Sequence, residues 1–190
     1  MSQREDLLAG AKRYPVEKGY SKTGARDIAA ASGAYPASIG YRFGSKDNLM
    51  NTAPAEADSE WGDTLEEAIR TAGPTTAEDR TRLLLTSPFT ALPAHRDLLV
   101  ASVQAFAHAR FGEDLRTALA EGVTRGRRGL AALVLGTAPE EVDEDTAAGL
   151  GSTAYTLVTG YAFQYLTEPD ALPTVDQAAA GLRALLPGRG

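Results

Sequence analysis

Residues 23–46, Thr-Gly-Ala-Arg-Asp-Ile-Ala-Ala-Ala-Ser-Gly-Ala-Tyr-Pro-Ala-Ser-Ile-Gly-Tyr-Arg-Phe-Gly-Ser-Lys, constrain the fold more than any other stretch. They read as two short helices joined by a tight turn. Thr23 stands where the first helix would begin, and its hydroxyl can accept a bond from an orphan amide one turn on. Ile28 and Ala29 give that helix a small apolar face. Gly33 follows, where the chain can turn with positive φ. Pro36 falls at the start of the second helix, where its missing N–H costs nothing. Ile39 and Phe43, four apart, give the second helix one buried stripe. Such a pair is a helix-turn-helix, whose second helix fits a DNA major groove.

The 190 residues are 43% hydrophobic, enough for a real core in one compact domain or two small ones. The absence of cysteine excludes disulfides and thiolate chemistry. With only His95 and His108, no metal site is expected. No cofactor is expected either. No apolar run approaches the ~20 residues of a membrane span. The segment Met-Ser-Gln-Arg-Glu-Asp lacks an apolar h-region, so no signal peptide is indicated and a cytoplasmic location is expected. The net charge of −6 hides an asymmetry. Residues 1–50 hold eight basic side chains against five acidic, a net of +3, which leaves −9 on the remainder. A basic head on an acidic body focuses DNA binding on the head.

The rest of the chain is helical in pattern, without strand-like alternation or repeats. Leu7, Leu8 and Ala11 open a first helix, which Pro15 is expected to kink or end near Tyr14. Gly19 would close this segment, and Tyr20 would pack the following turn. Ser45 is placed to cap a fourth helix through Leu49, Met50, Trp61, Leu65 and Ile69, with Pro54 a point of bending. Residues 72–76 form a break, and Thr76 caps the helix that follows. A stripe of Leu99, Val103 and Phe106 precedes another of Leu115, Leu119, Val123, Leu130 and Leu133. Residues 143–167 make a long helix apolar on two sides, one with Leu150, Ala154, Leu157, Tyr161 and Tyr165, the other with Ala147, Gly151, Tyr155, Val158 and Ala162. Two apolar sides call for two partners. A last helix carries Val175, Ala179, Leu182 and Leu186. The fold class expected is all-α.

Gly19-Tyr20, Thr23, Asp27-Ile28-Ala29, Ala31, Gly33, Ile39, Phe43-Gly-Ser-Lys46 and Leu49 resemble the N-terminal domain of tetracycline-repressor (TetR) family regulators. The motif spans about a quarter of the chain; beyond it only length and helical pattern agree. The resemblance implies a three-helix DNA-binding head, residues 1–46, and a ligand-binding and dimerisation body, residues 47–190. It implies a homodimer on a palindromic operator, a small-molecule effector, and the last two long helices paired with their twofold mates. The sequence departs from the family at Gly40, where a phosphate-binding tyrosine is common. It departs also at Tyr35, in place of a serine or threonine cap, and at Pro15 and Lys12, in place of core residues.

On this resemblance Thr23 and Lys46 are phosphate-contacting candidates, and Arg26 a backbone contact. Ala37, Ser38, Tyr41 and Arg42 lie on the exposed face of the second helix, where an arginine can grip phosphate or guanine. Trp61, Gln104, Phe106, His108, Tyr155 and Tyr161 are candidate lining for an effector cavity. Ala147, Gly151, Ala154, Val158, Ala162, Leu182 and Leu186 are candidate dimer contacts. Arg125, Arg127 and Arg128 read as a solvated helix face. The function expected is a ligand-responsive DNA-binding regulator, a repressor released by its effector. The alternative is a ligand- or protein-binding module that has lost operator binding, motivated by Gly40, Tyr35 and Pro15. With no nucleophile or phosphate-loop pattern, an enzyme is not expected. Acidic pairs such as Glu140-Glu141 read as solvated.

Overall fold

The computed structural model describes residues 2–18, 22–73, 76–109 and 112–185, and among them every regular element is helical. The helices are α1 Gln3–Lys18, α2 Ala25–Ser32, α3 Ala37–Phe43, α4 Lys46–Ala72, α5 Ala77–Ala91, α6 Arg96–His108, α7 Glu113–Leu135, α8 Glu144–Thr146, α9 Ser152–Thr167 and α10 Val175–Leu185. The chain separates into two compact units, one of Met1–Trp61 and His95–Val123, the other of Gly62–Ala94 and Thr124–Gly190.

The first unit is built on large aliphatic side chains. Leu7, Leu8 and Ala11 of α1 meet Ile28 of α2, Ile39 of α3 and Leu49, Met50 and Ala53 of α4 in one cluster. Fully burying such a side chain stabilises by about 1.5–3 kcal/mol. The head core therefore does not close at residue 46: it takes in the first two turns of α4. Where α1 passes α2, a Cβ on Gly10 would lie 2.9 Å from the Ile28 carbonyl oxygen, so this crossing depends on a residue without a side chain. α6 packs on α1, and its Ala105 joins Leu115 and Leu119 of α7 in a smaller cluster.

Helix ends follow the local chemistry. At α1, Glu5 N–H donates to Ser2 Oγ while Ser2 N–H donates to the Glu5 carboxylate. That backbone bond holds the Glu5 carboxyl below its ordinary value. α1 corrects the expectation of a break near Tyr14: the helix continues through Pro15 to Lys18. Pro15 lacks the N–H that would bond the Ala11 carbonyl, and the helix runs on for three further residues despite that loss. α4 likewise continues through Pro54. Ser45 caps α4 as expected, its Oγ accepting the Asn48 N–H at 3.0 Å. Gly19 and Tyr20 lie outside the described residues, as do the side chains of Leu65 and Ile69.

The second unit has smaller side chains at its contacts. Leu84 of α5 and Leu130 of α7 pack with Ala154 and Val158 of α9. Ala131, Ala132 and Val142 form a second cluster, with Ala147 and Leu150 against it. Thr76 and Asp79 cap α5 reciprocally, and Thr174 and Gln177 do the same for α10. Arg80 Nε donates to the Val134 carbonyl at 2.9 Å and so occupies an orphan acceptor at the end of α7. α8 runs into α9 through a π-helical turn, Ala147–Gly151. At its end Gly151 lies against the Arg127 backbone so closely that a Cβ would collide with the carbonyl oxygen.

Candidate nucleic-acid interface

α2 begins one residue later than the sequence suggested. Gly24, not Thr23, is its N-cap, because Asp27 supplies the reciprocal contact: Gly24 N–H donates to Asp27 Oδ2 at 2.9 Å, and Asp27 N–H to the Gly24 carbonyl at 3.0 Å. Gly33 closes α2 with φ 65°, and Ala34 N–H returns to the Ala29 carbonyl at 2.9 Å. This fixes the direction in which the chain leaves toward α3.

α3 follows Pro36 and is held from below by Ile39, 2% exposed, with Phe43 packed beside the same core. The pinning leaves the opposite side in solvent. Tyr35 and Tyr41 are 80% and 88% exposed, and Ala37, Gly40 and Arg42 are exposed as well. Ser38 is half-buried. A Cβ on Gly40 would meet nothing within 4 Å, so the missing side chain leaves open space. Ala37 and Tyr41 stand four apart, as do Ser38 and Arg42, which makes two adjacent rows along one face.

Two cations flank this helix. Lys46 Nζ, at the start of α4, donates to the Thr23 carbonyl at 3.2 Å and lies 3.6 Å from Asp47 Oδ1. Thr23 itself is 1% exposed, and it meets this surface through the carbonyl that accepts from Lys46. Arg26 is exposed on α2. The Arg42 guanidinium sits 6.0 Å from the Tyr41 ring centroid, and the Arg4 guanidinium 5.6 Å from that of Phe43 while paired with Glu56 at 2.8 Å. The sequence reading missed Gln3, whose amide touches both Ser38 and Arg42. No spacing rule reaches from residue 3 to residues 38 and 42.

The remaining candidates scatter. Gln104 and Phe106 belong to the first unit, Tyr155 and Tyr161 to the second. Gln104 Oε1 is buried, and Phe106 is 41% exposed. Tyr155 packs against the Leu84–Leu130 cluster. The side chains of Trp61 and His108 lie outside the described residues, as does Leu186. Of the dimer candidates, Gly151, Ala154 and Val158 are buried within the monomer: Ala154 and Val158, at 2% and 7%, pack with Leu84 of α5 and Leu130 of α7, and Gly151 lies against Arg127 of α7. Ala147 packs against the Ala131–Ala132 cluster. Ala162 and Leu182 are half-buried. Among the described residues, no group of three or more His, Cys, Asp or Glu is gathered as a metal site would require, and no helix is long and apolar enough to cross a membrane.

A short helix pinned by one isoleucine, with a basic and aromatic face turned to solvent, defines a helix-turn-helix protein of the DNA-binding class. Residues 7–53 match the bacterial regulatory proteins of the tetR family. The match covers α1 to α3 and the first turns of α4, about a quarter of the chain, and so bears on the N-terminal domain. The whole fold is shared more widely. A proposed transcriptional regulator from Pseudomonas aeruginosa superposes with a TM-score of 0.78 at 20% identity, over 97% of this chain and 90% of that one. A TetR transcription regulator from Haloarcula marismortui gives 0.71 at 22% identity, over 96% and 97%. A proposed transcriptional regulator from Saccharomonospora viridis, solved in complex with choline, gives 0.70 at 20% identity, over 98% and 96%. No curated protein matches the sequence.

Proposed function

We propose that the protein is a ligand-responsive repressor that binds a palindromic operator as a homodimer in the cytoplasm and releases it when a small molecule occupies the body. The observation that carries this reading is the exposed face of α3, with Tyr35, Ala37, Tyr41 and Arg42 held outward by buried Ile39. Arg42, Tyr41, Ser38 and Ala37 meet the groove. Lys46 and Arg26 grip phosphate, with Thr23 supporting Lys46 through its carbonyl. The small side chains on this face favour backbone and shape readout over many direct base contacts.

Dimerisation is assigned to the side of α9 that the monomer leaves open. Gly149, Thr153, Thr156, Gly160 and Phe163 fall at alternating spacings of four and three, all exposed or half-buried, with Phe163 53% exposed. Ala162, Leu182 and Leu186 border this surface in the proposal. Small residues there let two helices approach closely. The choline of the Saccharomonospora protein supports small-molecule binding on this fold. An effector shifts operator affinity only by its preference for one state over the other.

Gly40 favours a second reading, a ligand- or protein-binding module without operator binding, since the helix lacks a side chain at the centre of its exposed face. A gel-shift and footprint with the DNA upstream of its own gene separate the two. Retardation at moderate salt, relieved by an effector, supports the repressor. Absence of retardation by a verified dimer favours the module.

A further inference from the structure

Gln3 stands at the first position of α1, far in sequence from the reading helix, yet its side chain is shared between two α3 residues. Arg42 Nε donates to Gln3 Oε1 at 3.3 Å, and Gln3 Nε2 donates to Ser38 Oγ at 3.1 Å. The two ends of the amide are chemically distinguished. Arginine Nε can only donate, so the amide oxygen must face it, and the amide nitrogen is then left for the serine hydroxyl, which can accept. Ser38 and Arg42 are one helical turn apart, so the amide spans adjacent positions of the same row. With Nε engaged, the guanidinium keeps the four N–H donors of its Nη edge for an outside acceptor. The Tyr41 ring centroid lies 6.0 Å from the same guanidinium.

We propose that Gln3 is a positioning residue for DNA recognition: its amide, anchored on Ser38, orients the Arg42 guanidinium so that the Nη edge, not Nε, meets the DNA. This rests on the reading of α3 as the operator-binding helix. Gln3 touches no DNA in this scheme. Its effect passes entirely through Arg42, by removing rotamers that the long side chain would otherwise lose on binding.

A double-mutant cycle tests it, with wild type, Gln3→Ala, Arg42→Ala and the double variant titrated against one duplex recovered by the wild-type protein from a randomised pool. Gln3→Ala is expected to weaken binding about three- to tenfold when Arg42 is present and less than about twofold when it is absent. In the free protein, Gln3→Ala is expected to speed solvent exchange of the Arg42 Nε–H, followed by NMR, with the melting temperature unchanged. An equal loss in both backgrounds overturns the proposal, since Gln3 would then act on DNA or on α1 directly. So does an unchanged Nε–H. If Arg42→Ala binds like wild type, the proposal fails while α3 can still read DNA through other residues. If the wild-type protein recovers no duplex, the operator-binding reading fails and the proposal with it.

Discussion

The cores of the two units are made of different material. The head relies on Leu7, Leu8, Ile28, Ile39, Leu49 and Met50, large side chains that fill the space between its helices. The second unit mixes Leu84, Leu130 and Val158 with Ala131, Ala132 and Ala154, and at Gly151 two backbones come close. The first kind of core is damaged by making side chains smaller, the close approach at Gly151 by making them larger. Gly10 is the exception in the head, a single close crossing among bulky residues.

The largest expected effect therefore comes from truncation in the head. Ile28→Ala or Ile39→Ala should destabilise by about 2–5 kcal/mol in urea unfolding and abolish operator binding with it. A loss below 1 kcal/mol at both sites would place the head core elsewhere. Enlargement in the second unit comes next. Gly151→Ala drives a Cβ into the Arg127 carbonyl and should cost about 1–3 kcal/mol, whereas at half-buried Gly160 a Cβ would meet nothing within 4 Å and Gly160→Ala should stabilise the monomer by about 0.5–1 kcal/mol. If Gly160→Ala instead weakens dimerisation in analytical ultracentrifugation, the assignment of that face as the interface is sharpened. Gly40→Ala should gain up to about 1 kcal/mol of helix stability without a clash and leave operator binding intact.

The smallest effect is a pH dependence at α8. Asp143 accepts the Thr146 backbone N–H at 2.7 Å, and that bond, with a further contribution from the Thr146 side chain, lowers its carboxyl pKa. A carboxyl depressed on folding contributes stability that is fully present above its unfolded value and disappears as pH falls through the folded one. Asp143→Asn should flatten the acid limb of the stability curve slightly and leave neutral pH nearly unchanged. A steeper acid limb in the variant would contradict this role.

The same contrast explains how much was legible beforehand. Ile28, Gly33, Ile39 and Ser45 announced the head, because large apolar residues at helical spacing and a turn glycine carry their meaning locally. The family match over residues 7–53 falls on the same stretch. The two-sided pattern of residues 147–166 was visible, but not which side a partner in the same monomer covers. Alanine and glycine suit a close intramolecular contact and a dimer seam equally, so Ala154 and Val158 were assigned outward when they point to α5 and α7. Gln3 was invisible because its partners, Ser38 and Arg42, are fixed only by tertiary packing. Thr23 failed as a cap because Gly24 and Asp27 meet the same backbone need one residue later.

The central claim is that the outward face of α3 is the DNA-reading surface. Its most direct test is a footprint of the dimer on the DNA upstream of its own gene, repeated with a Tyr41→Ala, Arg42→Ala double variant and with Ala37→Ser. Two protected patches are expected on one face of the duplex, a helical turn or a multiple of it apart, lost in the double variant and retained with Ala37→Ser. Unchanged protection by the double variant, with the variant folded and dimeric, would contradict the claim.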